Sequence, residues 1–277
     1  MSTGNNQHYL DPTHPNYLRW KRSRDISIER GKFVKSIIAK YKAITNVKIL
    51  DIGSGFGGTI QNFLDSSNIV YSVEIDNFKL STQPQHPSLK KFNCDAFNLP
   101  FEEQFDVIIL QDFIEHIENP EKYLLYIKKF LKSDGIIYLS TPNKLSIFNL
   151  LADPHWGFPF VSIFSRKQLR KFFIPVFRRL EKNRVDIAEL LSLNSLIKIF
   201  NQNGFSYKLH TIEAIKALFE SPQQIIWSDF HLFLLKILKK LKLEKFLIKL
   251  SNNRTGILNK YFTPTFYFVL SKKIKNH

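Results

Sequence analysis

The feature that most constrains the fold of this chain is a glycine-rich turn that directly follows an apolar run. Residues 47–58 read VKILDIGSGFGG, so strand-forming side chains precede four glycines within six residues. The mixture of polar and apolar residues after the glycines is typical of a helix. A glycine turn between a strand and a helix lets the backbone approach a ligand and directs free N–H groups at it. The sequence therefore predicts a ligand site at this turn.

The spacing of the glycines alone leaves the ligand open. Gly53, Gly55 and Gly58 satisfy the dinucleotide pattern G-x-G-x-x-G, which fits an NAD-dependent enzyme. Asp51, however, lies two residues before the first glycine, where its carboxylate would be an unfavourable neighbour for a pyrophosphate. A basic segment with helical periodicity also precedes the motif. A carboxylate at the turn favours a ligand that has no phosphate and carries positive charge.

Apolar runs and helical patterns alternate along the middle of the chain. The predicted strands cover residues 47–52, 69–74, 90–94, 106–110 and 136–140, with helices at 58–65 and 120–132. This alternation predicts a doubly wound, parallel α/β sheet. A helix, a glycine and a strand follow at 192–212, and 261–273 is strongly β. Helical patterns also fill 14–41, 165–173 and the stretch 213–260 between the last two strands.

In their order, these segments resemble the class I S-adenosylmethionine-dependent methyltransferases. The resemblance covers residues 25–145 and resumes more weakly at 193–212 and 261–273. It is closest to the branch of ubiquinone-pathway O-methyltransferases and enzymes that modify glycans or lipid-linked sugars. It implies a seven-stranded Rossmann-like sheet with an antiparallel last strand and a helical cap. The segments that carry it are LDIGSGFGG, VYSVEID (70–76), CDAFNLPF (94–101), FDVIILQDFIEHIENP (105–120) and LKSDGIIYLSTPNK (131–144).

The resemblance implies S-adenosylmethionine as cofactor and assigns residues to it. Asp51 would hold the loop or accept from the ammonium group, and Glu74 would accept from both ribose hydroxyls. Ile75 would pack on the adenine, and Asp95 would accept from its amino group unless it only caps a helix. The implied cofactor-binding set is Asp51, Gly53, Ser54, Gly55, Gly57, Glu74, Ile75, Asp95, Ala96 and Gln111.

Two histidines are the candidates for catalysis. His155 lies just after the fifth-strand motif, where the acceptor pocket is expected, and an imidazole can take a proton from a hydroxyl. Asp153 would orient it and Trp156 would form the floor under a sugar or ring, unless this loop is only packed. His116 either holds its turn or takes part in catalysis. The expected reaction is methylation, at a hydroxyl, of a small-molecule or lipid-linked acceptor, glycan or quinone-like. No metal site is expected.

Two further functions stay open besides the NAD-dependent one. A nucleic-acid methyltransferase would explain the basic flanks, but amino-group-methylating enzymes of this family carry Asn-Pro-Pro-aromatic where QDFIEH stands here. Nucleic acid is therefore a disfavoured partner. A non-catalytic protein that binds the cofactor would keep Glu74 and Asp95 and would need no base. The sequence does not predict the oligomeric state.

The net charge of +16 is segregated along the chain. Residues 51–150 carry 8 Lys/Arg against 13 Asp/Glu, whereas residues 1–50 have a net charge of +7 and residues 151–277 of +14. Basic flanks favour an anionic partner, although a lysine-rich genome would also raise the total. The segment 229–250 has six lysines and two acids. It predicts either a helix on an anionic membrane or a packed lid. Its proposed apolar face is Phe230, Phe233, Leu234, Ile237, Leu238 and Leu241.

The sequence also predicts how the chain is organised. A cytoplasmic location is expected, with possible peripheral contact at the inner membrane face. The expected segments are an N-terminal helical segment (1–45), the cofactor-binding core (46–144), an acceptor-side insertion (145–190), a helix and strand of the core (191–212), a basic helical insertion (213–260), and the last strand with a basic tail (261–277).

Overall fold

The computed structural model describes residues 10–14, 17–226 and 229–273. At its centre is a seven-stranded sheet in the order β3-β2-β1-β4-β5-β7-β6. The strands β1 to β5 are parallel to one another. β7 lies between β5 and β6 and is antiparallel to both. This arrangement confirms the predicted fold class. The strands are β1 (Lys48–Ile52), β2 (Ile69–Val73), β3 (Leu89–Phe92), β4 (Phe105–Gln111), β5 (Leu131–Pro142), β6 (Phe205–Leu209) and β7 (Thr265–Lys272).

Helices cover both faces of the sheet, so the central strands are apolar on both sides, as parallel strands require. One core cluster joins β1, β4 and β5 to α4 and α8, and the other joins them to α2 and α9. The helices are α1 (Tyr17–Asp25), α2 (Ser27–Ile38), α3 (Asn77–Thr82), α4 (Pro120–Ile127), α5 (Ile147–Leu151), α6 (Arg166–Gln168), α7 (Ile174–Phe177), α8 (Leu193–Gln202), α9 (Thr211–Glu220), α10 (Asp229–Lys240), α11 (Glu244–Leu250) and α12 (Ile257–Tyr261).

Several element boundaries differ from the sequence prediction. The segment 14–41 forms two helices, with a break at Ile26, and the helix expected at 58–65 is a single 3-10 turn, Ile60–Phe63. β5 is longer than the predicted strand at 136–140 and contains Asp134 and Gly135, which the sequence pattern predicted as the turn between the helix and that strand. A side chain at Gly135 would lie 2.9 Å from the carbonyl oxygen of Phe105 on β4, so the glycine allows close pairing there.

The two insertions form the predicted helical cap, but from shorter elements. Ser165 begins a helix with a complete capping box, as predicted, yet α6 passes at once into a π-helical turn and then into α7. The segment 229–250 is two helices, broken at Lys242, which has a φ of +55°. Gly204, with a φ of +65°, ends α8 as predicted. The division of the chain into six segments stays a prediction.

Candidate cofactor and acceptor site

A cavity of about 850 Å³ opens where β1, β2 and β4 end. Ligands of open α/β sheets bind at this edge, and the volume lies toward the upper end of the usual range of about 300–1,000 Å³. One wall consists of the glycine turn and the ends of β2, β3 and β4. The other consists of α1, α2, residues 115–117 and residues 183–186 of the cap. The cavity therefore brings predicted cofactor residues and predicted acceptor residues together.

The glycines of the turn have different roles. Gly53 and Gly55 line the cavity with φ angles of +73° and +55°. Gly57 is absent from the described lining of the cavity, and its assignment to the cofactor stays a prediction. A side chain at Gly57 would instead lie 2.9 Å from Cγ of Gln83. Gly58 similarly leaves room for Ser27 of α2. The later glycines thus serve the packing around the turn.

Glu74 lies immediately after β2, beside the glycine turn. Its side chain is buried, its Oε2 accepts from the backbone N–H of Gly55 at 2.8 Å, and its Oε1 accepts from that of Asp76 at 2.9 Å. Each carboxylate oxygen can accept a second hydrogen bond. Glu74 is therefore fixed by the backbone and still suited to accept from two ribose hydroxyls.

Asp51 is buried at the end of β1 and lines the same cavity. Burial, and then the nearby negative charge of Glu74, raise the pKa of Asp51 to about 7. Two carboxylates that disfavour each other's charge form a site for a positively charged ligand. This is the electrostatic environment that an ammonium and a sulfonium group require.

The far end of the cavity has apolar side chains and one acid. Ile75 and Phe97 line it with 65% and 43% of their surfaces exposed, and Ala96 lies between them. Asp95 accepts from the backbone N–H of Phe97 at 2.9 Å and so closes a turn with one oxygen. No described helix begins at this turn, so the alternative role of a helix cap is not what the structure shows. Gln111 accepts from the hydroxyl of Thr59, which ties the end of β4 to the glycine turn.

The two candidate histidines lie side by side in the cavity wall. Their ring centroids are 5.4 Å apart at an angle of 88°. His116 Nδ1 lies 2.5 Å from Oδ1 of Asp186, a cap residue that the sequence analysis missed. Burial alone would lower the pKa of His116, but the charges of Asp186 and Glu115 outweigh it and raise that pKa. His116 therefore favours the protonated form.

Glu115 is the second residue that the sequence analysis missed. It is 1% exposed and lines the cavity, and burial raises its pKa to about 7. Oε2 accepts from the hydroxyl of Thr141 at 2.9 Å, while Oε1 has no hydrogen-bond partner among the described residues. One donor atom from each of Glu115, His116 and His155 lies within 4.8 Å of the others. Such a set can hold a divalent metal ion, although the sequence predicted no metal site.

The two residues predicted to assist His155, Asp153 and Trp156, have other roles in the structure. Asp153 accepts from the backbone N–H groups of His155 and Trp156, each at 2.8 Å, and so shapes the loop. The prediction that Trp156 forms the acceptor floor is wrong. It is 2% exposed and packs against Phe173 in the small core of the cap, because the cap needs an apolar centre of its own. Trp20 of α1 lines the cavity instead.

The N-terminal helices are fastened to the end of β4. Arg30 of α2 forms an ion pair with Asp112, which has a φ of +49°. Ser140 of β5 donates to the other carboxylate oxygen of Asp112 at 2.9 Å. Arg24 and Trp20 of α1 also line the cavity. The sequence predicted the helical pattern but not where it packs.

Comparisons with known proteins agree with this geometry. Residues 50–139 match the model of a family described as "Methyltransferase domain". The chain is 25% identical over 202 residues to the mitochondrial ubiquinone biosynthesis O-methyltransferase of Dictyostelium discoideum, which covers 61% of each protein. It is 25% identical over 179 residues to the ubiquinone biosynthesis O-methyltransferase of Rickettsia bellii, covering 60% of this chain and 72% of the relative.

A solved structure shows the same fold over nearly the whole chain. The plantazolicin methyltransferase BpumL, in complex with S-adenosylhomocysteine, has a TM-score of 0.53 and 16% sequence identity. The superposition covers 97% of this chain and 93% of BpumL. The chain has the fold of the class I S-adenosylmethionine-dependent methyltransferases, and its residues 50–139 match a methyltransferase domain. Its cofactor is S-adenosylmethionine, and the cavity lined by Asp51, Glu74 and the open glycine turn is the candidate site for it.

Proposed function

We propose that this methyltransferase transfers the methyl group of S-adenosylmethionine to a hydroxyl oxygen of a quinone-like or lipid-linked acceptor. The observation that carries the proposal is that His116, His155 and Glu115 share one cavity with the cofactor residues. The two relatives named as ubiquinone biosynthesis O-methyltransferases support an oxygen acceptor. S-adenosylmethionine supplies a methyl group on a good leaving group. The protein must align the hydroxyl, exclude water and accept its proton.

We assign proton removal to His155 and hydrogen-bond donation to His116. The raised pKa of His116, paired with Asp186, favours an imidazolium that donates to the acceptor and does not take a proton from it. Glu115 offers its buried Oε1 to the same region and can orient a hydroxyl. Trp20 and Ile117 supply apolar surface for a ring. Together these groups fit a hydroxyl on a flat, largely apolar acceptor head.

The test is formation of S-adenosylhomocysteine with defined acceptors. Dihydroxybenzenes with and without an isoprenoid tail, lipid-linked sugars, and DNA or RNA should be compared at equal concentrations. We expect turnover with a hydroxyl acceptor and none with nucleic acid. His155→Ala should lower turnover by about 10²–10⁴-fold without changing affinity for S-adenosylhomocysteine. His86→Ala, which changes a half-buried histidine outside the described cavity lining, is the matched control. Turnover with nucleic acid alone would refute the proposal.

The same assay separates a base from a metal ligand. It should be repeated with a chelator and then with added Zn²⁺, because two imidazoles and one carboxylate suit this ion. If the chelator abolishes turnover and Zn²⁺ restores it, Glu115, His116 and His155 hold a metal ion and His155 is not a free base. Binding of S-adenosylhomocysteine without turnover of any acceptor would favour the non-catalytic alternative.

We further propose that α10 brings the protein to an anionic membrane surface. In the described part of the chain no helix is both long and apolar enough to cross a bilayer. α10 carries apolar side chains on two sides. Leu235 is buried against α9, while Phe233, Ile237 and Leu241 are 59%, 39% and 60% exposed. Leu238, which the sequence placed on the same apolar face as Phe233, packs with the buried side, and the side chain of Phe230 lies outside the described residues.

Basic side chains flank the exposed strip of α10. Lys236 and Lys240 are exposed and lie one helical turn apart. Lys239 instead donates to the carbonyl oxygen of Phe219 at 2.9 Å. Each lysine near an anionic surface contributes about 1 kcal/mol, and apolar side chains add to this by inserting. A lipid-linked acceptor would give such binding a purpose, since the substrate lies in the membrane plane.

Co-sedimentation with anionic and neutral vesicles tests this contact. We expect binding to anionic vesicles at low salt, and loss of it at high salt, because exposed charges are screened beyond about 8 Å at physiological ionic strength. Lys236→Glu with Lys240→Glu should abolish binding. Lys122→Glu with Lys198→Glu, on exposed positions of α4 and α8, should leave it unchanged. Protein that stays in solution with anionic vesicles at low salt would contradict the proposal.

A further inference from the structure

Behind the glycine turn lies a buried amide that neither the sequence motifs nor the comparisons assign to the site. Gln83 follows α3, is 3% exposed and is absent from the described cavity lining. Its Nε2 donates to the carbonyl oxygen of Gly55 at 2.8 Å and to Oγ of Ser54 at 3.0 Å. Its Oε1 accepts from Oγ of Ser72 on β2 at 2.7 Å. The amide thus joins the turn to β2.

The contact with Gly55 connects Gln83 to the cofactor side of the turn. Gly55 accepts from Gln83 through its carbonyl oxygen and donates to Oε2 of Glu74 through its N–H at 2.8 Å. A side chain built on Gly55 would meet no atom within 4 Å, so packing does not fix this residue. Its φ of +55° is accessible to glycine among many other conformations. The two hydrogen bonds are therefore what orients Gly55.

The residues around Gln83 hold its side chain and backbone in place through further contacts. The hydroxyls of Ser54 and Ser72 lie 2.7 Å apart, which closes a ring of hydrogen bonds around the amide. Nζ of Lys91, on β3, donates to the carbonyl oxygen of Gln83 at 2.7 Å. Gly57 leaves just enough room for the methylene groups of Gln83. A buried network in which every member has a partner holds one geometry.

We propose that Gln83 is a positioning residue for the cofactor: it fixes Gly55, and through Gly55 the carboxylate that accepts from the ribose. Gln83 itself contacts neither cofactor nor acceptor. The proposal rests on the assignment of Glu74 to the ribose. It predicts that loss of the amide weakens the binding of every ligand that contains the ribose, whether or not the ligand also has a methionine part.

The test is binding of S-adenosylhomocysteine and of adenosine to the full chain by isothermal titration. Gln83→Met keeps the length of the side chain and removes its polar atoms. We expect about tenfold weaker binding of both ligands, the usual effect of losing one buried hydrogen-bond partner. Gln61→Met, an exposed glutamine in the 3-10 turn that follows, is the matched control and should bind as the wild type does. Ser72→Ala should give a smaller loss in the same direction, and it replaces Gln83→Met if that variant does not fold.

A double-mutant cycle distinguishes positioning from general support of the fold. If Gln83 acts through Glu74, Gln83→Met should weaken adenosine binding much less in a Glu74→Ala background than in the wild type. Equal losses in both backgrounds would overturn the proposal, as would unchanged affinity with only a lower unfolding temperature. If the wild type bound neither ligand, the cofactor assignment itself would fail, which is a different outcome from unchanged affinity in the variant.

Discussion

The affinity for S-adenosylhomocysteine should rise with pH through neutrality, because Asp51 must ionise to receive the ligand's ammonium group. In the free protein, burial and the charge of Glu74 raise the pKa of Asp51 to about 7. A cationic ligand stabilises the carboxylate and lowers that pKa, so binding below neutrality releases a proton.

The magnitude follows from the fraction of Asp51 that is ionised. With a pKa of about 7, this fraction is about 0.1 at pH 6 and about 0.9 at pH 8. Observed affinity scales with the fraction, so it should increase about tenfold over this interval, or about 1.4 kcal/mol. The ammonium of the ligand stays protonated throughout, so the ligand does not contribute to the slope.

Isothermal titration at pH 6, 7 and 8 in buffers of equal ionic strength measures the slope. The control ligand is 5′-methylthioadenosine, which has the adenosine part and no ammonium group, and its affinity should be nearly independent of pH. Asp51→Asn should bind S-adenosylhomocysteine weakly and without the pH dependence. A flat profile for the wild type, or the same slope for the asparagine variant, would refute the reasoning.

Three further outcomes are expected. Glu74→Ala should weaken the binding of S-adenosylhomocysteine by about 1–3 kcal/mol in titration calorimetry. An unchanged dissociation constant would show that Glu74 does not contact the ribose. In thermal unfolding without ligand, the wild type should lose stability relative to Asp51→Asn as pH rises from about 4 to 7. The reason is that the raised pKa of Asp51 in the folded state favours its protonated form, so ionisation destabilises the fold. Parallel stability profiles of the two proteins would contradict this. Gly57→Ala should unfold at a lower temperature than Gly55→Ala. Both glycines have a positive φ, but only a methyl group at position 57 would clash with Gln83. Equal decreases in unfolding temperature would contradict this packing role of Gly57.

The fold and the cofactor half of the site could be predicted because their signals are local. The strand, glycine turn and helix pattern at 47–58 occupies one short segment, and Glu74 follows its strand directly. The end of a parallel strand is at the ligand edge of the sheet, so position along the chain was enough to place these residues. At Gly57 the motif shows that a glycine is needed but not that Gln83 is the neighbour that requires it.

The acceptor half depends on contacts between distant segments and was predicted only in part. The structure places the two predicted candidates, His116 and His155, beside each other, and their catalytic roles stay predictions. Asp186 pairs with His116 from 70 positions away, and no local pattern indicates such a contact. Trp156 was assigned to the acceptor because an aromatic residue in an insertion suits a ring, yet burial in the core of the cap decided its place. Side chains with two plausible environments cannot be placed by residue type alone.

The segregation of charge along the sequence acquires a spatial meaning in the structure. The residues lining the cavity include seven acids, among them Asp51, Glu74 and Glu115, but only four lysines and arginines. An anionic head group would meet net repulsion there, whereas a cationic cofactor and an uncharged hydroxyl acceptor would not. The excess of lysine lies instead on outer elements such as α10 and α11. The proposed attraction to an anionic surface therefore acts on the outside of the protein and does not compete with cofactor binding inside it.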